Sequence, residues 1–417
     1  MPRFQAPSGT GDVFGDEARR FQNLAVVFAQ TVERAGFGLI VGPMFEDVAV
    51  YERVGETTDI VRKEMYDFTD KGGRALALRP DSTPSVVRAF VEHRPATPWK
   101  VWYLNPHFRY DRPQRGRSRQ HHSLGVEVLG TPDPDLDAEL VGLAWTFLTE
   151  VGFTAADVEL SVNSIGDEVC RPEYRKVLLS YLDEHAAELC DDHRERRADN
   201  PMRVLDCKKE CRAATKDAPL IVEHLCEDCS RHFDRVQSGL VSLDIPYKVD
   251  PRLVRGQDYY TRTAFEFQAG TLSSAQNALG GGGRYDGFVE AMGGTPTPGI
   301  GFGLGMDRIL LAAGDLDRFA PPVATLDAFV VDLTGGAEAL RLVGELRTAG
   351  LSADRSYDGR SMKAQLRAAD RSGARLALII GPEEAAAGTV TVKPLRGQGD
   401  DETLSRDQVT RRVKADG

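Results

Sequence analysis

The chain has 417 residues, 41% of them hydrophobic and 28% charged, and a formal net charge of −11. That composition excludes a fibrous or low-complexity chain, leaves material for two or three domains, and contains no apolar run near the roughly 18 residues that a membrane-spanning helix needs. The acidic balance disfavours non-specific nucleic-acid binding, and with no apolar leader at the N-terminus a cytoplasmic location with reduced or metal-bound cysteines is expected.

Apolar residues at helical spacing (Phe21, Leu24, Ala25, Phe28, Val32) predict a helix from about Asp16 to Ala35. Gly36 ends it, and Phe37 to Val41 reads as a short strand stopped by Gly42-Pro43. Strands are expected at Arg74–Leu78 and Trp99–Leu104, with a helix from Ser85 to His93 between them. In the next strand, Leu124–Leu129, Glu127 interrupts an apolar run; a buried charge there is costly unless it is paired or faces a cleft. A helix from Asp135 to Val151 and a strand at Val158–Val162 follow. Residues 165–239 turn charged and mostly helical and hold all six cysteines, as an inserted subdomain would. Strands resume at Tyr247–Val249 and Thr263–Phe267. Two glycine-rich passages come next, Gly280–Asp286 and Gly299–Arg308, and the second opens a helix from Met306 to Ala313. Pro321-Pro322 marks a linker. Beyond it, strand Phe329–Leu333, helices Ala337–Ala349 and Met362–Arg371, and strands Leu376–Ile380 and Thr389–Lys393 alternate as in a small α/β domain.

The richest local signal is Phe108-Arg-Tyr-Asp-Arg-Pro-Gln-Arg-Gly-Arg-Ser-Arg119, with five arginines and one acid between two expected strands. Guanidinium groups stay charged and offer forked donors that match phosphate oxygens. Pro113 and Gly116 make the stretch a loop, readable as a phosphate grip or as a solvated turn.

This loop resembles motif 2 of class II aminoacyl-tRNA synthetases, and the glycine run ending in Gly305-Met-Asp-Arg308 resembles their motif 3. Leu253-Val-Arg-Gly-Gln-Asp-Tyr-Tyr-Thr261 and Gly281-Gly-Gly-Arg-Tyr-Asp-Gly287 are similar to the two histidine-specific signatures of the histidyl-tRNA synthetases. Pro7–Asp12 resembles that family's N-terminal Gly-Thr-x-Asp, and Phe37–Tyr51 its dimer-forming motif 1. Gly359–Leu366, with the Gly-Pro-Glu that ends at Glu383 and the following Glu384, resembles its anticodon-binding domain. The resemblance spans nearly the whole chain. It implies an α+β catalytic domain on a mixed, mostly antiparallel sheet (residues 1–164 and 240–320), a helical insertion (165–239), and a C-terminal α/β anticodon-binding domain (325–417).

It also implies roles for particular residues. Arg109 matches the arginine at the ATP α-phosphate, Arg255 a second arginine facing that phosphate and the histidine, and Arg308 the arginine at the γ-phosphate and adenine; Arg117 completes the ATP set. Glu127 and Tyr260 match the residues that grip the two imidazole nitrogens, with Tyr285 lining the same pocket; a core aromatic is the other reading of Tyr260. Asp81 and Ser123 fall at the α-amino subsite, and Thr83 is a further histidine-binding residue. Two of these depart from the family pattern: Asp81 stands where a glutamate is common, one methylene shorter, and Ser123 where a glutamine is usual. Arg112, Gln114 and Arg119 are expected at the tRNA acceptor end. In the C-terminal domain Lys363, Arg367 and Arg371 form one basic stripe, either a solvated helix face or a tRNA contact.

Cys207-x3-Cys211 and Cys226-x2-Cys229 have a spacing compatible with a four-thiolate zinc site, with His224 and His232 as alternative ligands and plain reduced cysteines as the other reading. The function implied is ATP- and Mg2+-dependent ligation of L-histidine to its tRNA by a homodimer. The alternative is a catalytically silent, synthetase-like regulatory subunit of ATP phosphoribosyltransferase, to which the Arg79-Pro-Asp-x-Thr pattern also belongs. That alternative predicts loss of the motif 3 arginine and the C-terminal domain, both of which this chain keeps.

Overall fold

A computed structural model describes residues 4–415, apart from 56, 57, 59, 208, 209, 255–258, 273–276, 324, 325, 397 and 398. The chain divides into two units, Met1–Pro321 and Pro322–Gly417.

The first unit runs α1 (Gly15–Arg34), β1 (Gly38–Leu39), β2 (Phe45–Asp47), α2 (Ala49–Gly55), β3 (Tyr66–Thr69), β4 (Ala75–Leu78), α3 (Thr83–His93), β5 (Trp99–Phe108), β6 (Gln120–Leu129), α4 (Pro134–Glu150) and β7 (Val158–Ser164). It continues through α5 (Arg171–Glu184), α6 (Asp191–Arg196), α7 (Glu227–Ser242), β8 (Lys248–Val249), β9 (Thr261–Ala269), β10 (Ala278–Arg284), α8 (Phe288–Ala291), β11 (Gly299–Gly305) and α9 (Met306–Asp315). Eight strands form one sheet in the order β1-β5-β6-β11-β10-β9-β7-β8, and β2, β4 and β3 form a small antiparallel sheet of their own. Only the edge pairs β1–β5 and β7–β8 are parallel; every central pair is antiparallel. The mixed, mostly antiparallel sheet expected of the catalytic domain is therefore present.

The period-two alternation of these strands decides what each face does. Leu124, Val126 and Val128 of β6, Ile300, Phe302 and Leu304 of β11, and Phe265 and Phe267 of β9 point to one face. They pack there with α1 (Leu24, Phe28, Val32), α4 (Leu140, Phe147), α7 (Phe233, Val236, Leu240) and α9 (Ile309, Ala312). The alternate residues, including Ser123, Glu127 and Glu266, are left for the other face. Gly280–Arg284, which the sequence offers only as a glycine passage, is strand β10 paired on both sides. Its glycines permit close approach: a Cβ on Gly282 would meet the backbone of Gly301 and Phe302.

The inserted segment has its own small core of Tyr174, Leu178, Leu182, Leu189, Val204, Leu205, Cys211, Ala214, Ala218 and Ile221. Helix α7, which the change in composition groups with the insertion, packs into the main core instead. The second unit runs β12 (Ala328–Asp332), α10 (Ala337–Thr348), β13 (Ala353–Arg355), α11 (Met362–Arg371), β14 (Leu376–Ile380), α12 (Pro382–Ala387), β15 (Thr389–Pro394), β16 (Glu402–Ser405) and α13 (Arg406–Ala415). Its sheet, β13-β12-β14-β15-β16, is parallel through β14 and antiparallel beyond.

One polar node fixes helix to sheet in the first unit. Asp137 of α4 and Arg284 of β10 are both fully buried and ion-paired. Asp137 also accepts from His232 Nε2 at 2.8 Å and Thr263 Oγ1 at 2.6 Å, while Arg284 donates to the carbonyls of Thr131 and Asp133 at 3.1 Å. Burial alone would raise the Asp137 carboxyl, but the His232 hydrogen bond and the Arg284 charge hold it below the ordinary carboxylate range. Removing one partner leaves an uncompensated buried charge, so Asp137→Ala is expected to cost about 3–5 kcal/mol in denaturant unfolding. A loss below about 1 kcal/mol would mean that the node is solvent-relaxed.

Candidate active site

On the sheet face opposite the four helices lies a cleft of about 450 Å³. Its lining gathers residues that are far apart in sequence: Asp81 and Thr83 at the start of α3, Arg109 and Arg117 of the arginine loop, Ser123 of β6, Tyr260, and Arg308 of α9. The glycines of β10 and β11 (280, 281, 303 and 305) form part of its wall, where side chains would fill it.

Behind one end of the wall, bonded to the lining residues Thr83 and Tyr103, lies Glu127, 1% exposed. Thr83 Oγ1 donates to its Oε1 at 2.6 Å and Tyr103 OH to the same oxygen at 3.4 Å, while Tyr285 OH donates to Oε2. The strand context explains the position: β6 residue Glu127 pairs with Gly301 of β11, where a Cβ would collide with the carboxylate. Burial dominates the electrostatics and pushes Glu127 up to about 8, against the lowering by its three hydroxyl donors. Tyr103, Tyr259 and Tyr285 are raised well above the usual phenol value, first by burial, so all three remain donors. Tyr259 OH donates to Asp81 Oδ2 at 3.2 Å, and its ring lies 4.8 Å from that of Tyr260.

At the other end the arginines converge. Arg308 Nε donates to Gly116 O at 2.8 Å and its Nη1 to Ala278 O at 2.9 Å, tying the arginine loop to β10. Arg109 Nε donates to Pro80 O at 2.9 Å. Burial lowers Arg308 from its ordinary value, and the charges of Arg109 and Arg117 lower it further. A half-buried cation beside two others makes a place that a polyanion suits. Arg117 is held by Asp111 (2.6 Å from Nε) and Glu64 (3.3 Å from Nη2). His121 is depressed to about 3, first by burial and then by Arg109, so it stays neutral and adds no charge.

The outer residues differ among themselves. Arg112 and Gln114 are exposed at the loop tip, whereas Arg119 stacks on Tyr110 at 4.0 Å and its backbone N–H donates to Gly9 O at 2.7 Å. Arg255 lies outside the described residues.

A family model described as histidyl-tRNA synthetase matches residues 9–309. The chain belongs to the histidyl-tRNA synthetase family. A second model, described as an anticodon binding domain, matches residues 327–416. Curated relatives named histidine--tRNA ligase include one from Mycobacterium marinum, 45% identical over 98% of both chains, and one from Moorella thermoacetica, 46% identical over 93% of both. An apo histidyl-tRNA synthetase structure from S. aureus matches with a TM-score of 0.84 at 32% identity, covering 99% of this chain and 100% of that one. A Bacillus halodurans C structure, described as an ATP phosphoribosyltransferase regulatory subunit/histidyl-tRNA synthetase, matches at 0.65 over 91% of this chain and 100% of that one. At 20% identity that likeness is one of fold alone.

The zinc expectation needs correction. Cys207, Cys211, Cys226 and Cys229 do not form one cluster: Cys207 and Cys211 stand with Cys190 and His193, and Cys226 and Cys229 with Asp167 and Cys170. The reason is packing. Cys226 and Cys229 sit at the start of α7, which belongs to the main core, while Cys207 and Cys211 lie among the short turns of the insertion. His232 is not a ligand alternative, because it is committed to Asp137, and His224 packs against Tyr174 with ring centroids 5.5 Å apart.

Sequence reasoning missed Tyr103, Tyr259 and Gly301. Their signals were present: Gly299, Gly301, Gly303 and Gly305 alternate with Ile300, Phe302 and Leu304, the period-two mark of a strand that something approaches closely. Gly301→Ala should displace the Glu127 carboxylate and lower histidine-dependent turnover about a hundredfold, the scale of an ångström-sized misplacement. Nucleotide binding, followed by thermal shift with ATP, should be retained. Normal turnover in the alanine variant would refute the placement.

Proposed function

We propose that this chain activates L-histidine with ATP and Mg2+ to histidyl-adenylate and transfers the histidyl group to the 3′ end of its tRNA. The observation that carries this is a single cleft in which, at one end, the lining residues Thr83 and Tyr103 hydrogen-bond the buried Glu127 carboxylate behind them and, at the other, Arg109, Arg117 and Arg308 gather. The first end suits an imidazole and the second a triphosphate.

In this reading the histidine carboxylate attacks the α-phosphorus of ATP in line, the bond to the β-phosphate oxygen breaks, and pyrophosphate leaves. The attacking oxygen is already ionised, so no general base is needed. Negative charge grows on the equatorial phosphate oxygens, and Arg109 stabilises it from a guanidinium fixed beforehand through Pro80 O. Arg308 holds the γ-phosphate and adenine side, and Arg117 exchanges its carboxylate partners for phosphate. Arg255 is assigned to the α-phosphate by resemblance. Mg2+ prefers hard oxygen ligands; Glu266 on the cleft wall would supply one and the phosphates others. Bound there, the ion neutralises charge on the leaving phosphates.

Glu127 accepts from one imidazole nitrogen and Tyr260 pairs with the other, so amino acids without both nitrogens would leave buried polar groups unpaired and be rejected by orders of magnitude. Thr83 and Tyr285 orient Glu127. Asp81, steadied by Tyr259, and Ser123 serve the α-ammonium. Arg112 and Gln114 face the tRNA acceptor end, joined by Arg119, and exposed Lys363 and Arg367 on α11 meet tRNA phosphates in the anticodon-binding unit. The protein works as a cytoplasmic homodimer. Any zinc it carries is structural, since none of its six cysteines lines the cleft.

Histidine-dependent ATP–pyrophosphate exchange tests this reading. The wild type should exchange, and Arg109→Ala and Arg308→Ala should each lose about 10²–10³ in rate, the usual effect of removing one charge-stabilising donor. Histidine binding without any exchange in the wild type would favour the regulatory-subunit reading instead.

A further inference from the structure

We propose that this chain holds two structural zinc ions, one inside the insertion through Cys190, His193, Cys207 and Cys211, and one at its base through Asp167, Cys170, Cys226 and Cys229. In each set the four ligand atoms all lie within 4.8 Å of one another.

The measured separations are close to the edges of a metal-binding tetrahedron. In the inner set, Cys190 Sγ to His193 Nδ1 is 3.1 Å, Cys211 Sγ to His193 Nδ1 is 3.4 Å, and Cys211 Sγ to Cys190 Sγ is 3.5 Å. In the basal set, Cys170 Sγ to Cys229 Sγ is 3.8 Å, and Asp167 Oδ1 lies 3.5 Å from Cys170 Sγ and 3.9 Å from Cys226 Sγ. Metal bonds of about 2.3 Å to sulfur and about 2.0 Å to nitrogen or oxygen give tetrahedral edges of roughly 3.5–3.8 Å, and the six separations, 3.1 to 3.9 Å, bracket that range. A disulfide would need its sulfurs at about 2.05 Å, and all six cysteines are free.

In both sets a backbone N–H points at a sulfur: Cys190 N to Cys211 Sγ and Asp167 N to Cys170 Sγ, each at 3.3 Å. Asp167 turns Oδ1 toward the thiols while Oδ2 accepts from Arg262 at 3.3 Å, the kind of outer partner that orients a ligating carboxylate. Thiolate-rich, closed sets of four select zinc in a structural role. The insertion also has the need, because its core is small and built on short turns.

The basal site has a second consequence. Arg262 N donates to Gly166 O and Ile165 N to Arg262 O, both at 2.7 Å, and Arg171 Nη2 donates to Tyr260 O at 2.7 Å. The basal zinc therefore braces the stretch that carries Tyr260 into the cleft. Gly166, with φ +66°, leaves room for Cys170, since a Cβ there would stand 2.7 Å from its sulfur. The metal sites stand on their own geometry; an effect on histidine rests on the ligase reading above.

The test is elemental analysis of the full chain purified without chelator, with cobalt(II) replacement to read thiolate-to-metal charge-transfer absorption. Two zinc per chain are expected in the wild type, and one each in Cys190→Ser and Cys229→Ser. No metal with six titratable thiols, or a single metal per chain, would overturn the assignment. If either variant fails to fold, stepwise release of zinc from the wild type by a mercurial reads the same two sites: two increments support the proposal and one or none overturns it. For the bracing role, Cys229→Ser and Gly166→Ala should raise the KM for histidine about tenfold or more, with the KM for ATP little changed and Cys190→Ser near wild type. An unchanged histidine KM in protein that has lost the basal zinc would overturn the bracing role alone.

Discussion

A carboxylate placed inside a sheet, out of reach of water, costs several kcal/mol unless its oxygens are paired, and the first unit is organised around meeting that cost at Glu127. Its hydroxyl donors come from the start of α3, from the middle of β5, and from the turn after β10. The neighbouring strand contributes by omission, because Gly301 has no Cβ where the carboxylate sits. Four elements, from Thr83 to Gly301, must therefore be in register before this one side chain is satisfied. The arrangement leaves Glu127 poised, with burial outweighing its donors and holding it at about 8.

The other end of the cleft poses the opposite problem. Arg109, Arg117 and Arg308 crowd together, and each is held in place by its own contacts, Arg109 and Arg308 by backbone carbonyls and Arg117 by the carboxylates of Asp111 and Glu64. Arg308 does two things at once, since its bonds to Gly116 and Ala278 also pin the arginine loop to the sheet. A buried carboxylate just behind the cleft wall and a group of arginines within the cleft account for why a histidine and a nucleotide would be brought together there.

Much of this was legible in the residues. The long periodic helices and the strands flanking the arginine loop fall within a few residues of their expected bounds, because amphipathic spacing and Gly/Pro punctuation are local signals. Glu127 announced itself as a charge in an apolar strand. What escaped depended on register or on tertiary packing. Tyr103 looks like any strand aromatic until β5 is aligned with β6, and the glycines of β10 hid a strand behind a loop-like composition. The cysteines show the same limit: Cys207-x3-Cys211 and Cys226-x2-Cys229 are adjacent in sequence, but α7 packs with the main core, so each pair finds its partners elsewhere. Asp167 and His193, which complete the two sets, each stand three residues from a cysteine of their own set (Asp167-x2-Cys170 and Cys190-x2-His193), far in sequence from the pairs they join.

The central claim is that Glu127 is the group that reads the imidazole, neutral-leaning when the cleft is empty and ionised when histidine occupies it. Isotope-edited difference infrared spectroscopy of the glutamate carboxyl, compared with Glu127→Gln, measures this directly. The unliganded protein at neutral pH should show a protonated-carboxyl band that is absent from the Gln variant and disappears as pH rises through about 8. Saturating histidine should abolish the band at neutral pH, because a carboxylate accepting from an imidazole N–H is charged. A band that persists unchanged in the histidine complex would contradict the account.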